Sequence, residues 1–90
     1  MRKIINGKAY DTSTAELLFE HMDIFEGNLY GAKDLYRKKT GEYFLNIKSF
    51  DCNRFCGEYI SPLTLAEARE FGESCMGAKE YEPIFGKVGE

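Results

Sequence analysis

Three cysteines and one histidine are the side chains in this sequence best suited to hold a soft metal or attack an electrophile. Cys52 and Cys56 could give two zinc ligands, with Cys75 and His21 completing a Cys3His set. The spacing argues against it, because structural zinc sites are built from closely paired ligands and here two of the four stand far from the others. A Cys52–Cys56 disulfide would need an oxidising setting or a redox role, and any internal disulfide leaves one of the three thiols unpaired. The preferred reading is free thiols in a reducing compartment, which places the chain in a cytoplasm with no metal and no other cofactor. His21 could serve a cysteine nucleophile as general base, oriented by Glu20 or Asp23. No G-x-S-x-G, P-loop or H-E-x-x-H pattern accompanies it, and a lone histidine beside apolar positions is more often a satisfied boundary residue. A non-enzymatic protein with no catalytic residues is expected.

Charge points to binding instead. The net charge of −3 has the wrong sign for a general nucleic-acid binder, yet it is unevenly spread. Residues 33–54 carry six bases against three acids, whereas residues 1–32 carry three against five and residues 58–90 three against seven. Arg37, Lys38 and Lys39, near Tyr36, Tyr43 and Phe44, could contact phosphates and stack on bases. Their bland counterpart is a charged hairpin tip that discourages sheet aggregation. Glu16, Glu20 and Asp23 could engage a basic protein surface, with Glu67, Glu70 and Glu73 as a second acidic set. Solvated faces are the ordinary explanation for both. The first set stands out because no Lys or Arg lies within it to form local pairs. Leu17 and Ile24, beside it, would add apolar contact if the fold leaves them uncovered.

These groups must be positioned by a single domain spanning residues 1–90, since 90 residues enclose one core and no more. Hydrophobic residues at 43% and charged ones at 30% make an ordinary globular balance, with seven Phe and six Tyr as the bulky filling. The longest aliphatic or aromatic run is Leu17-Leu18-Phe19, so neither a membrane span nor a signal peptide is expected. Asn6-Gly7 between two short extended runs predicts a hairpin over residues 3–10. Ser13 and Glu16 have capping-box spacing, which predicts a helix running to about Phe25 and ended by Gly27. Ala15, Leu18, Phe19, Met22 and Phe25 would share its apolar side, with Leu17, His21 and Ile24 on an adjoining stripe.

A second hairpin is predicted from residues 35–38, a turn at 39–42 and a strand at 43–48, with Tyr43, Leu45 and Ile47 facing the core. Residues 49–57 have no clean period and read as a loop, after which residues 58–61 add a short strand. Thr64 and Glu67 form another capping box, predicting a helix from Leu65 to Met76 with Leu65, Ala68, Phe71 and Cys75 inward and Gly77 as its C′ residue. Residues 78–85 could add a helical turn. The expected fold is α+β, a small antiparallel sheet with two main helices in the order ββαββ(β)α.

The blocks MRKIINGKAYDTSTAELL, LYRKKTGEYFL, ISPLTLAEAREF and EYEPIFGKV resemble a family of small, uncharacterised proteins of Gram-positive bacteria and of their phages and mobile elements. The similar blocks cover about half the chain. Where that family often continues its central strand into a Gly-rich stretch, this chain has residues 46–52, Asn-Ile-Lys-Ser-Phe-Asp-Cys. The resemblance implies a mobile-element setting, in which small proteins frequently bind host defence machinery. It therefore implies a non-enzymatic inhibitor acting on a host protein complex, a CRISPR effector among the candidates, with Glu16, Leu17, Glu20, Asp23 and Ile24 as the partner-binding set. The alternative is a small nucleic-acid-binding accessory protein using Tyr36, Arg37, Lys38 and Lys39.

Overall fold

Tyr43 and Phe44 are neighbours in one strand, so their rings leave the sheet on opposite sides, and each is met by a different part of the chain. A computed structural model describes residues 1–51, 55–87 and 89, apart from the side chains of residues 51, 55 and 56. The architecture is α+β: six strands in two antiparallel sheets, followed by two helices. Strands β1 (Arg2–Ile5) and β2 (Lys8–Asp11) form a two-stranded hairpin. Strands β3 (Glu16–Phe25), β4 (Asn28–Arg37), β5 (Tyr43–Asp51) and β6 (Phe55–Leu63) form a four-stranded meander in that spatial order. Helices α1 (Leu65–Cys75) and α2 (Ala78–Phe85) close the described fold.

The hairpin at Asn6-Gly7 forms as the residue types require, with φ of 51° and 75° at the two turn positions. It lies on the Phe44 side of the larger sheet. Phe44 is fully buried between Tyr10, which meets it edge-on at 5.5 Å, and Tyr36, which stacks on it at 5.2 Å with planes 6° apart. Ile60 completes this core, with Ile5 and Ala15 packed around it. Polar contacts seal the rim: the Lys38 ammonium sits 4.4 Å from the Tyr10 ring centre, and Glu42 binds Lys8 at 3.1 Å and Lys38 at 3.4 Å. The other face carries the helices. Tyr43 meets Phe85 at 5.6 Å, and His21 meets Phe71 at 6.4 Å.

Both faces of β5 are therefore covered, and the expectation of a single core face at Tyr43, Leu45 and Ile47 needs correcting. Phe44 and Asn46, on the opposite side, are more deeply buried than Leu45. Residues 49–57 are also not a loop as a whole, because Ser49–Asp51 extend β5 and Phe55–Gly57 begin β6.

The helix expected to end near Phe25 is instead the ten-residue strand β3. Its anticipated cap is used otherwise: the Asp11 carboxylate accepts from the Ser13 amide at 2.9 Å and the Ser13 hydroxyl at 2.7 Å, building an Asx turn in place of a helix start. The register shift between Leu17 and Phe19 leaves Leu18 as an extra residue and breaks the two-residue alternation along β3, whereas the shift between Asp23 and Ile24 places its extra residue, Tyr30, in β4. With its phase reset at Leu18, the apolar residues of the strand follow no single period of two. Gly27 does not end a helix. With Glu26 it forms the two-residue turn into β4, both at positive φ.

The Thr64 capping box is realised in full, the Thr64 hydroxyl accepting from the Glu67 amide at 3.1 Å and the Glu67 carboxylate from the Thr64 amide at 2.9 Å. Ala68 turns inward as expected, whereas Leu65 is exposed. Gly77 adopts φ −79°, so it starts α2 and is not a left-handed C′ residue. Among the described residues, no helix is long and apolar enough to cross a membrane.

Two glycines mark close approaches. A Cβ on Gly31, in β4, would stand 2.5 Å from the Lys48 carbonyl oxygen of β5. One on Gly72 would stand 2.9 Å from Tyr81 Cδ2 and 3.0 Å from Phe85 Cε2. Gly31→Ala is expected to destabilise by about 1–3 kcal/mol in denaturant titration, because the obstruction is backbone and cannot rotate away. Gly72→Ala sets two effects against each other: helix propensity would add about 1 kcal/mol, while overpacking the ring pair costs about 1–3 kcal/mol. The packing term is expected to win, so the urea midpoint should fall.

Glu42 adds a pH dependence. Its hydrogen bond to Lys8 is the largest influence holding its carboxyl below the ordinary range. A lowered folded pKa gives stability that is present above the ordinary glutamate range and lost as the pH falls through the lowered value. The stability curves of the native chain and Glu42→Gln should therefore differ near neutrality and converge in acid. A constant gap down to low pH would exclude this linkage.

Candidate protein-docking surface

The distal end of the β3–β4 hairpin leaves a group of large apolar side chains in solvent. Met22 is 56% exposed, Ile24 62% and Phe25 65%, and Leu29 and Tyr30 on the returning strand are also exposed. Phe25 and Tyr30 lie 6.5 Å apart, ring to ring, so they form one surface and not scattered points. An open hollow of about 460 Å³ runs along it, lined by residues 21–25 and Tyr30. Isolated exposed apolar residues are normal on proteins, and a contiguous group on one hairpin is a candidate contact surface. The hairpin also presents a backbone edge. β3 is the outermost strand on its side of the sheet, with β4 as its only strand partner among the described residues.

All five residues of the expected partner-binding set fall on β3, though in different settings. Glu16 accepts from the Arg37 guanidinium at 2.9 Å, so the acidic set and the basic set are joined across adjacent strands. Leu17 and Ile24 are exposed. Glu20 is exposed and stands opposite Asp34 on the hairpin-covered side of the sheet. The Asp23 carboxylate lies 3.3 Å from His21 Nε2.

The basic set is largely occupied within the molecule. Tyr36 is stacked on Phe44, Arg37 is held by Glu16 and Tyr43, and Lys38 by Glu42 and the Tyr10 ring. Lys39 alone of the four is exposed.

Cys52 lies outside the described residues, and the Cys56 side chain does as well, so the zinc set and the Cys52–Cys56 disulfide fall there too. Cys75 is half-buried on α1, and burial pushes its thiol above the ordinary range, with Lys33 opposing and Asp23 reinforcing that shift. A protonated thiol is a poor nucleophile. Among the described residues, no hydrogen bond joins it to His21, and no group of three or more His, Cys, Asp or Glu side chains is placed to hold a metal.

A second feature lies on the same side of the sheet as Phe44. Asp34 and Asn46 are opposite each other in β4 and β5, and both are buried. Lys48 Nζ approaches Asp34 at 3.5 Å, and Asn46 Nδ2 donates to the Glu58 carboxylate at 2.8 Å. The Tyr36 hydroxyl is raised above its ordinary pKa chiefly by burial, then by Asp34, with smaller contributions from Glu20 and Glu58 against Lys48.

Sequence reasoning passed over Phe25, Leu29 and Tyr30 as contact residues. The signal available was apolar residues on both sides of the Glu26-Gly27 turn. Comparison with protein-family models, curated proteins and solved structures finds no match for this chain.

Proposed function

We propose that this protein is a non-enzymatic binding module that docks onto another protein through the outer end of its β3–β4 hairpin. The observation that carries this reading is the exposed, contiguous set Met22, Ile24, Phe25, Leu29 and Tyr30. Burying one such side chain contributes about 1.5–3 kcal/mol, so two or three anchors suffice for a specific complex. Glu20 and Asp23 beside them favour a partner with basic surface, mainly by speeding and orienting encounter, since exposed charge pairs are worth only about 0–1 kcal/mol each. The free edge of β3 offers main-chain hydrogen bonds to an extended segment of the partner. The mobile-element resemblance of the sequence extends the proposal to an inhibitor of a host defence complex, a CRISPR effector being one such target.

The nucleic-acid reading through residues 36–39 has less support, because three of its four side chains already have intramolecular partners. The two readings separate in one experiment. The tagged chain is used to capture partners from a Gram-positive host lysate, beside an Ile24→Ser/Phe25→Ser variant whose fold is verified by circular dichroism. A protein recovered by the native chain and lost with the variant is expected. Equal recovery by both excludes the hairpin, and recovery of nucleic acid alone favours the alternative.

The charged residues make a separate prediction. A Glu20→Lys/Asp23→Lys variant should weaken capture most at low salt, and the difference should shrink as salt rises. An unchanged salt dependence would remove these acids from the contact.

A further inference from the structure

The hollow of about 460 Å³ at the hairpin is lined by His21, Met22, Asp23, Ile24 and Phe25, which are consecutive residues, together with Tyr30. Successive side chains of a strand leave opposite faces, so a hollow that touches this whole run lies along the open backbone edge of β3 and belongs to neither face alone. The edge is regular there. From Phe19 to Asp23 the strand pairs with β4 without a break, and residues 19–25 include no Pro, Lys or Arg to blunt it. The bulge at Leu18 and the Glu26-Gly27 turn bound this receptive stretch at residues 19–25. Register sets out its charges. Glu20 stands on the Phe44 side, opposite Asp34, and forms no hydrogen bond or ion pair among the described residues. Asp23 stands on the helix side, where His21 is its ion-pair partner among the described residues. Each face of the edge thus carries one acid, with exposed Met22 and Ile24 on the Phe44 side and exposed Phe25 on the other.

We propose that the partner protein adds an extended segment antiparallel to β3 along residues 19–25, with one basic side chain opposite Glu20, a second opposite Asp23, and apolar side chains opposite Met22, Ile24 and Phe25. The inference rests on the protein-docking reading and names the form and the residue pattern of that contact. The antiparallel direction continues the ladder of every pair in this sheet and is the more stable of the two. Directly opposite residues share a face, so the two bases stand three positions apart and leave the added strand on opposite sides. Main-chain hydrogen bonds hold such a segment, and its alternate side chains select it. The charges select a basic strand over a second copy of β3. Self-pairing would gather two Glu20 and two Asp23 in one ribbon, with only two His21 to set against them.

The test uses the full chain, isotopically labelled, titrated with N-acetyl-Val-Val-Arg-Val-Thr-Arg-Val-amide and followed by NMR. Saturable shifts are expected along β3, with amide exchange slowed at alternate residues between Phe19 and Phe25, since only every second N–H faces the open edge. Two N-methylated forms of the peptide, one blocked at its odd and one at its even amides, should differ, one binding and the other not. A peptide with glutamine for both arginines should bind about fivefold more weakly, and so should the arginine peptide to a Glu20→Gln/Asp23→Asn variant whose fold is verified by circular dichroism. Equal binding of the glutamine peptide or of that variant overturns the proposal. So do equal binding of the two N-methylated forms, the absence of saturable shifts on β3, and a chain that sediments as a β3-paired dimer. If the proposal fails while Ile24→Ser/Phe25→Ser still abolishes capture, the docking reading stands and only the strand addition is lost.

Discussion

The packing of Phe44 between Tyr10 and Tyr36 is the interaction on which the two halves of the architecture depend. The small hairpin has only four residues in each strand, and a two-stranded ribbon of that size is marginal in water by itself. It is held by burying Tyr10 against a ring supplied by the centre of the larger sheet. Phe44 in turn needs that cover, because the helices occupy the opposite face and cannot shield it. Aromatic pairs with this geometry add about 0.5–1.5 kcal/mol beyond the area they bury. The contact joins residues far apart in the chain and thereby makes one unit of two sheets that share no strand pairing among the described residues.

Local devices were legible in the sequence. The Asn-Gly turn and the Thr64–Glu67 capping box depend on two or three residues each, and no distant contact competes with them. The α+β class, the antiparallel sheet and α1 followed from such signals. Strand β3 did not, for physical reasons that can be traced to particular residues. A bulge at Leu18 conceals its alternation, Asp11 takes the hydroxyl and amide of the expected helix cap, and Glu26-Gly27 makes a tight turn without the asparagine that usually announces one. The coverage of both faces of β5 was hidden because it depends on where the hairpin and helices land, which no local pattern encodes.

The candidate site shows the same division. Glu16, Glu20 and Asp23 attracted notice because no base lies near them in sequence, a criterion suited to a helix. On a strand the neighbours are across the ladder, and Glu16 finds Arg37 there, 21 positions away. The alternation also separates the acids by face, so that Glu20 joins Asp34 while Asp23 stands with His21 on the helix side. The apolar tip and the buried polar pair of Asp34 and Asn46 are products of pairing register. Met22, Ala32 and Lys48 become neighbours only once three strands are aligned.

The two outer edges of the meander are unequal. β3 has a backbone N–H at every position but bulges at Leu18, whereas β6 carries Pro62, which has no N–H to offer, and continues within two residues of its end into α1. The two edges thus differ in the donors they can offer to an added strand. A sheet with two open edges can be extended by successive copies into a fibre, but a sheet with one receptive edge is finished after a single addition. Pro62 thereby removes one donor near the α1 end of the β6 edge, so a strand added there could not pair along its full length.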